Sequence, residues 1–171
     1  MHVQVYPEYY EGELQGNGIE IYGKRTDNKK SRMFLSEDGQ VRIFYDKIKS
    51  DGWNEAGCDK QKIEIFKTGE AAIGLVCCMD VNYPLLLSSV KDKLDKSECQ
   101  NKIICISAHM SPGIDWFGSE TLSPDLHNYI VVLSNGNPGG VKSFIADIDG
   151  IKLGSLSFNL GSLLIINNGC T

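Results

Sequence analysis

The chain has 171 residues, 42% of them hydrophobic and 23% charged, with a net charge of −5 and a pI near 5.2. That length suits a single domain over residues 1–171, large enough to bury a core without disulfide or metal staples. An acidic chain with no Lys/Arg cluster lacks the basic surface that phosphates need, which argues against nucleic acid as a partner. The longest apolar run, Ala71–Met79, is too short to cross a bilayer, and MHVQVYPEYYEGE has neither the basic nor the apolar region of a signal peptide. A membrane partner is therefore not expected.

Runs rich in Val, Ile, Phe and Tyr, bounded by turn-forming residues, predict strands over Val3–Tyr6, Ile19–Tyr22, Arg32–Leu35 and Val41–Tyr45. Ser36-Glu37-Asp38-Gly39 reads as a tight hairpin, because Asp-Gly supplies the positive φ such turns need. Further strands are expected over Lys62–Phe66 and Ala72–Cys77. Pro84 then suits a first helical turn, and Tyr83, Leu87, Val90 and Leu94 recur at helical spacing after it. Ile103–Ser107 follows as a second wholly apolar strand, so the trio predicts a βαβ unit with parallel strands buried on both faces. A weaker helix is expected within Ser119–Asn128. Strands over Tyr129–Ser134, Ser143–Asp147, Ile151–Leu153 and Leu163–Ile166 complete the chain, with Asp149-Gly150 as a second turn signal. The remaining strands read as meanders, and the pattern as a whole as α/β with central sheets and few helices.

Six cysteines stand at positions 58, 77, 78, 99, 105 and 170, with no CxxC and no regular framework. Reduced thiols in a cytoplasmic compartment are the expectation. His2, His109 and His127 are not spaced as metal ligands, and no phosphate-binding glycine loop precedes a helix, so neither metal nor cofactor is expected.

Gly74-Leu-Val-Cys77-Cys78-Met79-Asp80-Val-Asn-Tyr-Pro84 places a cysteine where a buried strand ends shortly before a helix. A nucleophile there is presented at the strand's carboxyl edge. A helix N-terminus lowers a thiol pKa and offers free backbone N–H groups to an oxyanion. Two small apolar cysteines filling a buried strand would give the same pattern without chemistry. Upstream, Lys47 ends the strand Val41–Tyr45 with Lys49 close by. Earlier still, Tyr6-Pro7-Glu8 sets a carboxylate after a proline that ends a strand's hydrogen-bond ladder. Glu55 lies in a loop marked by Asp51, Gly52 and Gly57.

In this order the three segments resemble those of the nitrilase (carbon–nitrogen hydrolase) superfamily. Cys78 matches the nucleophile, with Asp80 and Pro84 fitting its motif and Met79 replacing the usual aromatic residue. Lys47 takes the lysine position, with Lys49 where His is common, and Glu8 takes the glutamate position. Glu55 corresponds to a second glutamate that many members keep. The stretches Lys102–Met110, Asn128–Asn135 and Gly140–Gly150 extend the likeness, with His127 where Glu is common. His109 is expected among the substrate-binding residues.

The resemblance implies an αββα sandwich trimmed at the N-terminus, and hydrolysis of a small amide or nitrile through a cysteine thioester. Glu8 would be the base, Lys47 and the Met79 backbone N–H the oxyanion holders, and Glu55 an orienting group, with no metal or organic cofactor. It also implies a homodimer or larger homo-oligomer. The strand and helix that usually precede the glutamate strand are absent, so an unpaired sheet edge or an uncovered apolar face is expected beside Val3–Tyr6. The same shortening supports an alternative: an inactive nitrilase-like binding or assembly protein. A third reading is a Cys–His hydrolase pairing Cys78 with His109 or His127.

Overall fold

The structure, a computed structural model, describes residues 2–26, 31–48, 63–69, 71–110, 126, 128–137, 143–147, 150–152, 156–158 and 162–166. Along the chain run β1 (His2–Val5), β2 (Ile19–Arg25), β3 (Ser31–Glu37), β4 (Gln40–Asp46), β5 (Ile65–Thr68) and β6 (Ala71–Cys77). A 3₁₀ turn over Cys78–Asn82 leads into α1 (Pro84–Asp95). Then come β7 (Asn101–Ala108), β8 (Ile130–Asn135), β9 (Phe144–Asp147), β10 (Gly150–Lys152), β11 (Leu156–Phe158) and β12 (Ser162–Ile166).

The strands form two six-stranded sheets, ordered β11-β12-β1-β2-β3-β4 and β10-β9-β8-β7-β6-β5. The sheets face each other across one core. Val3, Val5, Ile21, Met33 and Leu35 of the first pack with Ile73, Leu75, Ile103 and Cys105 of the second. The βαβ expectation holds: β6 pairs parallel with β7, and β7 parallel with β8. β2, β3 and β4 form an antiparallel meander. Its tight turn at Asp38 and Gly39 has φ of 49° and 75°, the twist that a two-residue hairpin requires.

α1 lies on the outer side of the second sheet, against β6. Its buried stripe is Leu86, Val90 and Leu94, so the face is centred one residue earlier than Leu87, which is only partly covered. Gly74 makes the close approach possible. A Cβ there would lie 2.4 Å from Val90 Cγ1. Alternation along β6 then turns Ile73, Leu75 and Cys77 toward the opposite sheet.

One expectation changes. β1 is an interior strand, held parallel by β2 on one side and by β12 on the other, so no unpaired edge lies beside it. Among the described residues the outer strands of the first sheet are β4 and β11. β11 was not foreseen, because three residues are too few to show a period. Of the expected helix within Ser119–Asn128, residues 119–125 and His127 lie outside the described residues.

Gly74→Val forces a branched side chain into the β6–α1 contact. Overpacking of this kind costs about 1–3 kcal/mol. Urea unfolding is expected to show a lower midpoint with an unchanged m-value.

Candidate active site

The carboxyl ends of β1, β6, β7 and β8 gather at one end of the sandwich, where β2 and β4 also finish and β3 begins. Crevices at strand carboxyl ends are the usual place for ligands in α/β folds. The segment after β1 is stitched to this end. Tyr6 N–H donates to the Ile21 carbonyl (2.8 Å), Glu8 N–H to the Ala108 carbonyl (3.3 Å), and Ser107 Oγ to the Tyr6 carbonyl (2.7 Å). The Ala108 carbonyl also accepts from Gly136 N–H (3.0 Å), so the tips of β7 and β8 share one anchor.

Glu8 and Lys47 are buried here, 2% and 1% exposed, with Lys47 Nζ 3.1 Å from Glu8 Oε1. An isolated charge in such a place would cost several kcal/mol or neutralise itself, so each stabilises the other's charge. Ser31 Oγ donates to the same Glu8 oxygen at 2.7 Å. Gly23 lets Glu8 come this close to β2. A Cβ there would stand 3.2 Å from Glu8 Cα.

Cys78 begins the 3₁₀ turn with φ of 46°. A non-glycine residue seldom adopts that conformation, and strained turns of this kind cluster at functional sites. Asp80 holds the elbow in place. It is fully buried, and its two carboxylate oxygens accept from Ile48 N–H at 2.9 and 3.2 Å. The residue after Lys47 is therefore bonded to the residue two beyond Cys78. Met79, the expected oxyanion donor, is the second residue of the turn, where backbone N–H groups lack intrahelical partners.

The thiol faces Glu8. Burial first, then the charge of Glu8, pushes its pKa from 9.0 up to about 12; Lys47 and the backbone of His109 pull the other way. This corrects the expectation of a thiol acidified by the helix. A helix N-terminus is worth about 0.3–1 kcal/mol, under one pKa unit. Moreover, α1 starts only at Pro84, after the intervening turn. Cys77 is a strand residue facing the core, its thiol also pushed well up by burial.

His109 contacts Cys78 through its backbone. Its ring is exposed and meets Tyr9 edge-on at 5.8 Å between centroids. The side chain presented to the thiol is thus Glu8, which removes the support for a Cys78–His109 pair. Tyr9 itself has φ of 63°, and with Tyr10, Glu11, Gly12, Lys24 and Arg25 it lines a pocket of about 320 Å³. Glu55 and His127 lie outside the described residues. Among the described residues no cluster of His, Cys, Asp or Glu could hold a metal ion, and no helix is long and apolar enough to cross a membrane. Sequence reasoning missed Ser31, whose neighbours Lys30 and Arg32 give no chemical signal; it fitted Asp80 to the motif without finding its partner.

A twisted sandwich with a cysteine elbow between β6 and α1, facing a buried Glu–Lys pair, is a nitrilase-like α/β fold. No protein-family model matches the chain, and no curated protein does. Solved structures do. A cysteine-to-alanine mutant of the Nesterenkonia AN1 amidase from the nitrilase superfamily superposes with a TM-score of 0.66 at 15% identity, over 90% of this chain and 72% of that one. Another mutant of that amidase, carrying the acetamide moiety of fluoroacetamide on its active-site cysteine, gives 0.60 at 18% identity, over 81% and 56%. Glutamine-dependent NAD+ synthetase from Acinetobacter baumannii gives 0.61 at 16% identity, over 88% and 36%.

The position of Glu8 yields a test. Its charge raises the Cys78 pKa, so removing that charge lowers it. Alkylation of Cys78 by iodoacetamide is expected to keep rising with pH toward about 12 in the unaltered chain. In Glu8→Gln the rise comes at lower pH, and in Lys47→Met it comes at higher pH. Peptide mapping of the labelled thiol after each pH step reads the three curves.

Proposed function

We propose that the chain hydrolyses a non-peptide C–N bond, in a small amide or nitrile, through a thioester on Cys78. The observation that carries this reading is the buried Glu8–Lys47 pair set against the Cys78 thiol. Similarity in fold to amidases that use an active-site cysteine supports it.

The resting thiol is protonated, so the proton must leave as attack begins. For an amide, Glu8 takes it and the sulfur bonds to the carbonyl carbon. The resulting oxyanion meets the Lys47 ammonium and the Met79 backbone N–H, groups fixed in place before the reaction. Glu8 then gives the proton to the nitrogen, and ammonia or an amine departs, leaving the thioester. A water molecule replaces it, Glu8 removes a proton from that water, and the new hydroxide attacks the thioester carbon. The carboxylic acid leaves and the thiol regains its proton. Glu55 is assigned the orientation of Lys47 or of the departing nitrogen, and His109 a place at the substrate wall.

Release of ammonia from short aliphatic amides tests the reading. Cys78→Ala is expected to abolish turnover. Glu8→Gln lowers kcat by roughly 100- to 10,000-fold, the range for a positioned acid–base group. An unaltered chain inert toward amides and nitriles, or a Cys78→Ala variant as active as the parent, would refute it. Lys47→Met also strands a buried carboxylate, so both activity and thermal stability should drop.

The setting of the reaction follows from two further features. Cys77, Cys78, Cys99 and Cys105 are free thiols, which supports a reducing, cytoplasmic location. On the outer side of the first sheet, Tyr22 stacks on Phe34 at 5.3 Å and Phe34 meets Phe44, which is 52% exposed. Of the three rings Tyr22 is buried and Phe44 exposed, and the exposed end of the row supports pairing with a second copy. Sedimentation over a hundredfold concentration range is expected to give a dimer or larger species; a monomer throughout would exclude it.

A further inference from the structure

Ser31 touches both halves of the buried pair. Its hydroxyl donates to Glu8 Oε1 at 2.7 Å, and its backbone carbonyl accepts the Lys47 N–H at 2.8 Å. It is fully buried at the start of β3. Two elements converge on it: the segment after β1, which carries Glu8, and the end of β4, which carries Lys47. A strand-end serine usually bonds to local backbone or water. Here its hydroxyl reaches back 23 residues to a carboxylate.

The choice of oxygen matters. Lys47 Nζ donates to Oε1 at 3.1 Å, so Ser31 and Lys47 occupy the same atom. Two donors on Oε1 fix the plane of the carboxylate, and neither of them engages Oε2. With Lys47 alone the ammonium, a rotatable point charge, could hold either oxygen. The hydroxyl removes that freedom. We propose that Ser31 is a positioning residue for the base: it locks the Glu8 carboxylate so that Oε2 takes and returns the proton of Cys78. The proposal rests on the amide-hydrolase reading and adds to it the atom that carries the proton.

Ser31→Ala, Ser31→Thr and Ser31→Val in the full chain test it. Thr and Val have nearly the same shape and differ by the hydroxyl. A hydrogen bond to a charged group is worth roughly 10- to 100-fold in an equilibrium or rate. Ala and Val should therefore lose about that much in kcat on a short aliphatic amide, with KM within about twofold, and Thr should restore most of it. Alkylation of Cys78 provides a readout that needs no turnover. If Ser31 aims Glu8 at the thiol, the pH curves for Ala and Val move toward that of Glu8→Gln, while Thr stays with the parent. Val matching Thr in both measurements would overturn the proposal, as would Ala retaining parental kcat and parental alkylation. Should the parent hydrolyse nothing, the catalytic reading fails, and the alkylation curves alone still decide whether Ser31 orients Glu8.

Discussion

The arrangement depends on one interaction, the buried ion pair between Glu8 and Lys47. Neither charge is tolerable there alone. The pair is therefore a geometric constraint as much as a chemical one: the segment after β1 and the end of β4 must meet, with Ser31 between them. Gly23 leaves room for that meeting. Asp80 then brings the cysteine elbow to the same place by bonding the residue beside Lys47. Three stretches far apart in sequence are thus fixed by a few buried polar contacts at one end of the sheets.

The pair also sets the electrical state of the thiol. Burial, and the second negative charge that a thiolate would put beside Glu8, push the Cys78 pKa up to about 12. Lys47 compensates only in part. A thiol held this way stays protonated at rest; in the proposed reaction its proton passes to Glu8 as attack begins. That differs from a cysteine kept permanently ionised by a helix terminus or a neighbouring imidazolium.

Much of this was readable from local patterns. The apolar runs around Ile73 and Ile104 with a helix between them identify parallel strands, since nothing else buries both faces of a strand so evenly. Asp38-Gly39 marks its hairpin because only a few residue types accept the required φ. Glu8, Lys47 and Cys78 were legible as three ordered segments, each at a strand end. What was not legible is what arises between segments. The placement of β1 between β2 and β12 depends on parallel pairing across the whole chain, and no local signal reports it. The buried stripe through Leu86 depends on the side from which β6 approaches. The pKa of Cys78 depends on a glutamate seventy residues earlier in the sequence. Ser31 escaped notice because a lone serine in a polar stretch has no signature until its partner is known.

The parallel pairing of β1 with β12 has a consequence for how the molecule is made. His2 lies opposite Leu163, and Val5 opposite Ile166. Contacts so distant in sequence carry the largest loop-closure entropy and form late. During synthesis the strand that leads to Glu8 leaves the ribosome about 160 residues before its second neighbour β12. Until then β1 has β2 alone, and the segment carrying the base is secured on one flank. The cysteine elbow, built from adjacent strands and one helix, has no such wait. The two halves of the site therefore mature on different schedules, and the thiol side is assembled before the carboxylate side is locked.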